Sequence, residues 1–338
     1  MHEKPTSFDI AFLAGVSQPT VSRALRGSPM VSLETRKRIE EIARQLNYRV
    51  DKNASNLRSQ HSNTLALLLF EDPTPDDSQI NPFFLSMLGS ITRASARQGY
   101  DLLISFQQLS KDWQQDYEDS RKADGIILLG YGDFEEYRPR LVRLVEQGTH
   151  FVRWGPVMEG QPGISVGCDN LQGGYDVTRH LLEGKRRKIA FLGNASSHYP
   201  EFFDRFRGYE RAMLEAQAPI SSALQVDAIN LEEAGFNAVN ELRARGVEFD
   251  AIVAASDLIA IGALRALQDA GLEVPRQVAV TGFDDIPAAA STNPPLTTVM
   301  QDTRRAGEFL VESLLSQISG ETAGNRVIPT KLVIRKSG

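Results

Sequence analysis

From residue 65 onward, apolar residues come in short uninterrupted blocks: Leu65 to Phe70, Leu102 to Phe106, Ile126 to Leu129, Phe151 to Trp154, Ile189 to Leu192, Ala251 to Ala254 and Val278 to Val280. Blocks of this length without polar alternation are the pattern of strands covered on both faces. Amphipathic stretches lie between most of them, among them Phe84 to Gln98, Phe134 to Gln147, Leu171 to Leu182 and Leu258 to Ala270. The alternation predicts an α/β body of parallel, doubly wound sheets, and its length is too great for one small sheet, so two lobes are expected. Ligands in such folds bind beyond the carboxyl ends of the strands, which between two lobes means a cleft.

The first sixty residues follow a different rule. In Thr6-Ser7-Phe8-Asp9 a capping threonine precedes an acidic residue by three positions, so a short helix should start there and run to about Leu13. Gly15 breaks it, and Ser17 can cap a second helix, Gln18 to Leu25, with Pro19 in the first turn where its missing N–H does no harm. Ala11 permits close contact, Val16 and Val21 fill the space between the helices, and Gln18, Ser22 and Arg23 are left facing outward. This is a helix-turn-helix pattern. Ser32 then caps a third helix with Thr35, Ile39, Ile42, Ala43 and Leu46 at helical spacing and a charged, solvated outer face. Asp51 to Gln60 is polar, with Leu57 as its one large apolar residue.

Charge separates the same two regions. The chain of 338 residues has a formal net charge of -6, yet residues 1–63 carry ten Lys/Arg against six Asp/Glu. The head is basic and the body acidic, so a nucleic-acid partner is expected for the head. The single cysteine, Cys168, excludes an intrachain disulfide, fits a reducing compartment and reads as a small buried hydrophobe. Residues 1–6 lack the apolar run of a signal peptide, and no later run approaches the roughly 18 residues of a membrane helix. A soluble, cytoplasmic protein without a membrane partner is expected. His2, His61, His150, His180 and His198 are scattered, and there is no paired metal spacing or serine elbow, so no enzyme, metal or cofactor is expected. Leu129-Gly130-Tyr131-Gly132 does not complete a dinucleotide fingerprint, and Gly173-Gly174 reads as helix packing.

Specific residues extend the helix-turn-helix pattern into a family likeness: Asp9-Ile10-Ala11, Ala14-Gly15-Val16-Ser17, Thr20-Val21-Ser22-Arg23, Val31-Ser32, Thr35-Arg36 and Leu46-Asn47-Tyr48. With them the chain resembles the LacI/GalR family of bacterial transcriptional regulators. The resemblance implies that the second helix enters the major groove, with Gln18, Pro19 and Arg23 facing base edges. Arginine can pair bidentately with guanine, and proline offers an apolar contact to a thymine methyl. Thr6, Ser17, Thr20, Ser22 and Tyr48 would hold phosphates, which fixes register without reading sequence. Asn56, Leu57 and Arg58 fall on the family's hinge helix, where the leucine levers open a minor-groove step and Arg58 is the adjacent cation. Val50-Asp51 stands where the family usually has Pro-Asn, and Phe12 where it usually has a polar residue.

The resemblance covers the body as a periplasmic-binding-protein-like sensor core, through Asn81-Pro82-Phe83-Phe84, Asp124-Gly125-Ile126-Ile127, Asp169-Asn170, Arg205-Phe206-Arg207-Gly208-Tyr209, Ser256-Asp257, Gly282-Phe283-Asp284-Asp285 and Pro294-Pro295-Leu296-Thr297-Thr298-Val299. It implies a helix-turn-helix domain over 1–50 and a hinge or linker over 51–63. The core over 64–338 would have one lobe of about 64–165 and 296–323 and a second of about 166–290 and 324–338. Phe83, Phe84, Trp154, Arg205, Asn230, Ser256, Asp257 and Asp284 become candidates for an effector cleft. Aromatic faces suit the apolar side of a sugar ring, and arginine and aspartate suit adjacent hydroxyls. Asn230 stands where many relatives have an aromatic. The expectation is a homodimeric repressor of a palindromic double-stranded DNA operator, controlled by a mono- or oligosaccharide. The alternatives are a regulator using a non-sugar corepressor and, with no role for the head, a solute-binding protein.

Overall fold

The computed structural model describes residues 5–25, 27–48, 61–70, 80–130 and 132–338. It divides into two compact units, Met1–Ser62 and Asn63–Gly338. Val50, Asp51, Asn56, Leu57 and Arg58 lie outside the described residues.

In the first unit the expected three helices are α1 (Ser7–Ala14), α2 (Gln18–Leu25) and α3 (Leu33–Gln45). Thr6 and Asp9 form a reciprocal capping box, in which the Asp9 carboxylate accepts from the Thr6 N–H at 2.7 Å. Gly15 ends α1 in the left-handed region at φ 64°, a conformation that favours glycine. Ser32 caps α3 by accepting from the Thr35 N–H. Ile10, Ala14, Val21, Ala24, Ile39 and Ala43 close a small core, with Val16 and Tyr48 packed at its margin. Phe12 is exposed, as its place on the outer face requires.

The second unit holds two parallel sheets. The first is built from β1 (Thr64–Leu69), β2 (Asp101–Phe106), β3 (Gly125–Leu129), β4 (Phe151–Trp154), β5 (Ile164–Cys168) and β11 (Arg326–Ile328), in the order β11-β5-β4-β3-β1-β2. The second is built from β6 (Ile189–Leu192), β7 (Gln225–Val226), β8 (Ala251–Ala254) and β9 (Ala279–Thr281), in the order β7-β6-β8-β9. An antiparallel pair, β10 (Thr298–Met300) and β12 (Lys331–Val333), accompanies the second sheet through bridges from Thr281 to Thr297 and from Asp284 to Met300. Each apolar block of the sequence overlaps a strand. In β1, β3, β6 and β8 nearly every residue is buried, as strands covered on both faces must be.

Two lobe boundaries move. Residues 164–168 pair with β4, Trp154 opposite Val166, and residues 326–328 pair with β5, so both segments are strands of the first sheet. The chain therefore crosses after Cys168 and after Ile328, later than expected, because a strand hydrogen-bonded into one ladder cannot be divided between lobes. Residues 297–300, expected in the first lobe, are bridged to the end of β9 instead.

Helices α4 (Pro82–Arg97), α5 (Phe134–Gln147) and α10 (Thr303–Ile318) belong to the first lobe. Helices α6 (Asn170–Glu183), α7 (Pro200–Glu215), α8 (Glu232–Ala244) and α9 (Asp257–Asp269) belong to the second. Glycines set the close crossing of α6 on α7. A Cβ at Gly174 on α6 would lie 2.2 Å from the Arg205 carbonyl oxygen, and one at Gly208 on α7 would lie 2.1 Å from that of Leu171. Gly173-Gly174 is helix packing, as the sequence reading has it. Among the described residues no helix is long and apolar enough to cross a membrane.

Candidate functional site

On α2, Ser17, Pro19 and Arg23 are exposed, while Gln18, Thr20 and Ser22 are half-buried. Val21 and Ala24 face the core, so the helical period leaves Arg23 free to project outward. The Ser17 and Thr20 hydroxyls lie 2.9 Å apart, and Gln18 Nε2 donates to Ser7 Oγ at 3.2 Å, which orients the first turn. Thr6 is exposed and Tyr48 half-buried. The candidate DNA residues that the structure describes thus share one small, tightly packed unit.

The other candidate is a cleft of about 420 Å³ between the two lobes of the second unit. From the first lobe, the carboxyl end of β1 supplies Phe70, the first turn of α4 supplies Phe83 and Phe84, and the end of β4 supplies Trp154. Asn81 caps α4 by accepting from the Phe83 N–H at 2.9 Å, which fixes where both phenylalanines start. Their rings meet edge to face at 5.4 Å, and Phe83 lies 6.0 Å from Trp154. From the second lobe come Arg205 on α7, Asn230 before α8 and Asp284 after β9.

Arg205 is buried and held from several sides. Its Nε donates to Asn170 Oδ1 at 2.9 Å, its Nη1 donates to the Ala255 carbonyl, and its guanidinium carbon lies 3.8 Å from the centre of the Phe283 ring. The Asp284 carboxylate is 3.6 Å from Nη1. Asp284 has a φ of 117°, sparsely populated by residues with a side chain, and its N–H donates to the Val299 carbonyl at 2.8 Å. Burial raises its carboxyl to about 6, against the opposing effects of Arg205 and of a 2.6 Å hydrogen bond from Gln301 Nε2.

Gln301 was not foreseen. It lines the cleft and is buried, and its Oε1 has no hydrogen-bond partner, a condition shared by Asn230 Oδ1. A buried polar atom without a partner costs roughly 1–3 kcal/mol, so Gln301 Oε1, whose Nε2 is fixed on Asp284, calls for a donor from a ligand and the Asn230 amide for a further polar partner. Asn170, which orients Arg205, was also missed as a site residue.

Ser256 and Asp257 do not line the cleft. Ser256 accepts from the Ile259 N–H as the cap of α9. Asp257 accepts from the Ile286 N–H at 2.8 Å and from the Thr298 hydroxyl, tying the loop after β9 to β10. Burial, with Asp284 next, pushes its carboxyl well above the usual range. Both sit at a strand end, as expected, but behind the cleft wall. Cys168 is buried, and burial pushes its thiol up to about 12, which leaves it inert as a nucleophile.

The rim of the cleft is acidic. Among the described residues, Asp133, Glu136 and Glu201 line it with Asp284, against the single guanidinium of Arg205. Asp133 caps α5 and also receives a hydrogen bond from His198 of the second lobe, while the Phe134 N–H donates to the His198 carbonyl at 2.8 Å. Burial works to raise the Asp133 carboxyl, but the bonds from His198, Glu136 and Glu135 hold it below its ordinary value.

Comparison with known proteins gives this geometry a context. The sequence profile of the lacI family of bacterial regulatory proteins matches residues 8–51, and that of the periplasmic binding protein-like domain matches residues 178–338. The HTH-type transcriptional regulator CelR of Thermobifida fusca is 30% identical over 99% of this chain and 98% of its own length. The chain belongs to the LacI family. This LacI-family protein is accordingly a transcriptional regulator with a DNA-binding head, and not an enzyme. Its structure is similar to that of a CelR–cellobiose complex, with 30% identity, a TM-score of 0.73, and 99% of this chain and 100% of that one covered. It shares its fold with the lac repressor dimer bound to operator and the anti-inducer ONPF, with 24% identity, a TM-score of 0.85, and 99% of each chain covered.

Proposed function

We propose that this LacI-family regulator is a cytoplasmic repressor whose affinity for a palindromic operator is set by an uncharged carbohydrate in the cleft. The observation that carries the reading is the pair of buried, unpartnered amide groups of Asn230 and Gln301 beside the Arg205–Asp284 fork and the rings of Phe84 and Trp154. Sugar hydroxyls pair with the amides and accept from the guanidinium, and the ring face stacks on the aromatics. The acidic rim disfavours phosphorylated or carboxylated ligands by like-charge repulsion. The CelR relative in complex with cellobiose supports the same class.

Residues 1–50 read DNA, with Gln18, Pro19 and Arg23 at base edges and Thr6, Ser17, Thr20, Ser22 and Tyr48 at phosphates. Residues 51–63 join them to the core, with Asn56, Leu57 and Arg58 assigned to the minor groove. A homodimer matches a two-fold operator. Edge strand β2 leaves Leu103 and Ile104 exposed, and α4, which contacts it, leaves Leu85 exposed, an edge suited to a second copy. The effector must bind the operator-competent and operator-incompetent states unequally, or nothing shifts.

Fluorescence anisotropy on a family-type palindrome and a scrambled duplex, at two salt concentrations and with a sugar panel, tests the reading. Preference for the palindrome together with a sugar-dependent shift is expected; no preference and no shift in any condition would refute it. In the same assay Arg23→Ala should weaken the palindrome by about 1–3 kcal/mol and relax base preference. An equal loss on the scrambled duplex would reduce Arg23 to a phosphate contact.

The Asp284 carboxyl, raised to about 6, gives a pH dependence with a definite sign. The ionised form is the better acceptor for a sugar hydroxyl, so effector affinity rises as pH increases through about 6 and levels off above it. Calorimetric titrations at pH 5 and 7.5 should differ in that direction, with proton release on binding near pH 6. A flat profile would remove Asp284 from the ligand contacts.

A further inference from the structure

The effector cleft continues past Asp133. A second cavity of about 170 Å³ adjoins it, and Phe70, Gly132, Asp133 and Glu136 are walls common to both. Its far side is formed by the turn after β2 and by the outer face of α5.

Gln107, in that turn, is buried and lines the second cavity. Its Nε2 donates to the carbonyls of Leu68 at 3.0 Å and Gly130 at 2.7 Å, at the carboxyl ends of β1 and β3. Carbonyls only accept, so the amide cannot be flipped, and its oxygen must be the other end of the group. That oxygen, Oε1, is buried and has no hydrogen-bond partner. The backbone is equally fixed, because the Gln107 carbonyl accepts from Trp113 Nε1 at 3.1 Å. Arg140 lines the same cavity one helical turn beyond Glu136 on α5, and its guanidinium lies 5.5 Å from the centre of the Trp113 ring.

The second cavity therefore repeats the chemistry of the first: an aromatic ring in Phe70, a carboxylate in Glu136, a guanidinium in Arg140 and an amide oxygen without a donor in Gln107. Between them the Phe70 ring packs directly on Gly132, where a Cβ would stand 2.5 Å from Phe70 Cζ, so one aromatic ring borders both cavities. From this juxtaposition we infer that the second cavity is a subsite for a second sugar ring, and that the effector is an uncharged di- or oligosaccharide spanning both cavities. This rests on the carbohydrate reading of the main cleft. Gln107 and Arg140 line only the second cavity of the two, so a single ring in the main cleft leaves them unmet. A second ring supplies the hydroxyl donor that Gln107 Oε1 lacks and the acceptors that Arg140 can meet.

Calorimetric titration of the full-length protein separates this inference from the reading beneath it. The probes are glucose, galactose, mannose and xylose, each with its 1,4-linked disaccharides, followed on wild type, Arg140→Ala and Gln108→Trp. Gln108 is exposed and lines only the second cavity of the two, so tryptophan there fills the subsite. The expected result is a disaccharide that binds at least tenfold more tightly than its own monosaccharide, with that ratio falling towards one in both variants. Equal affinity for one and two rings, or a ratio unchanged in both variants, overturns the subsite and leaves the carbohydrate-responsive regulator standing. If no sugar binds while the palindrome is still recognised, both the carbohydrate reading and the subsite fall.

Discussion

Arg205→Met is expected to raise the effector concentration for half-maximal response by about 100-fold or more, with operator affinity in the absence of effector within about twofold of wild type. Hydrogen bonds from a charged donor contribute roughly 1.5–3 kcal/mol each, and a guanidinium in this fork can make two to a sugar. Methionine keeps much of the volume over the Phe283 ring but leaves Asn170 Oδ1 and the Ala255 carbonyl without the donor they have now. Asp284 loses the cation that opposes the effect of burial, so its carboxyl rises beyond about 6 and takes up a proton near neutrality. The sign for stability follows. A carboxyl raised in the folded state favours folding at low pH, and that contribution is lost as pH rises through the folded value. The destabilisation caused by Arg205→Met should accordingly be larger at pH 8 than at pH 5 in denaturant unfolding. An unchanged effector midpoint would place the ligand elsewhere in the cleft.

The same residues mark what could be read in the sequence. Arg205 and Asp284 were legible because charges beside buried aromatic and apolar neighbours need a reason to be there. Ser256 and Asp257 were misplaced because a strand end locates a residue at the correct edge of a sheet without saying which side of the loop it faces. Gln301 had no signal, since its place in the cleft depends on the crossing that brings β10 alongside Asp284, a contact between residues distant in sequence. Gln107 was hidden in the same way, because its role appears only when β1 and β3 end side by side. Among the strands, β1, β3, β6 and β8 announced themselves as apolar runs. Strand β5, Ile164–Cys168, did not, because Ser165 and Gly167 interrupt it and its backbone ladder does the work of side-chain pattern. The lobe boundaries at residues 165 and 323 failed for that reason. In the head, the caps and the glycine break are local chemistry, and all three helices appeared within a residue or two of where the sequence put them.

Gly262→Ala should lower the melting temperature by roughly 6–12 °C, the scale of about 3 kcal/mol in a domain of this size, although alanine is the better helix former by about 1 kcal/mol. The added Cβ on α9 would sit 1.8 Å from the Glu232 carbonyl oxygen and 2.8 Å from the Phe236 N, both backbone atoms of α8. Gly235 on α8 faces the reverse contact, 2.0 Å from the Ile259 carbonyl oxygen. No side chain can rotate away to relieve either clash, so the two helices must separate, and the cost exceeds that of overpacking a deformable core. The separation also reaches the cleft. Helix α8 begins just after Asn230 and Leu231, and α9 begins at the Ser256–Asp257 pair that ties the Asp284 loop to β10. Effector affinity should fall together with stability in this variant, whereas Arg23→Ala on the separate DNA-reading unit should change neither. A melting temperature within a degree or two of wild type would mean that α8 and α9 can slide apart at little cost, and that the glycine pair does not set the geometry of this lobe.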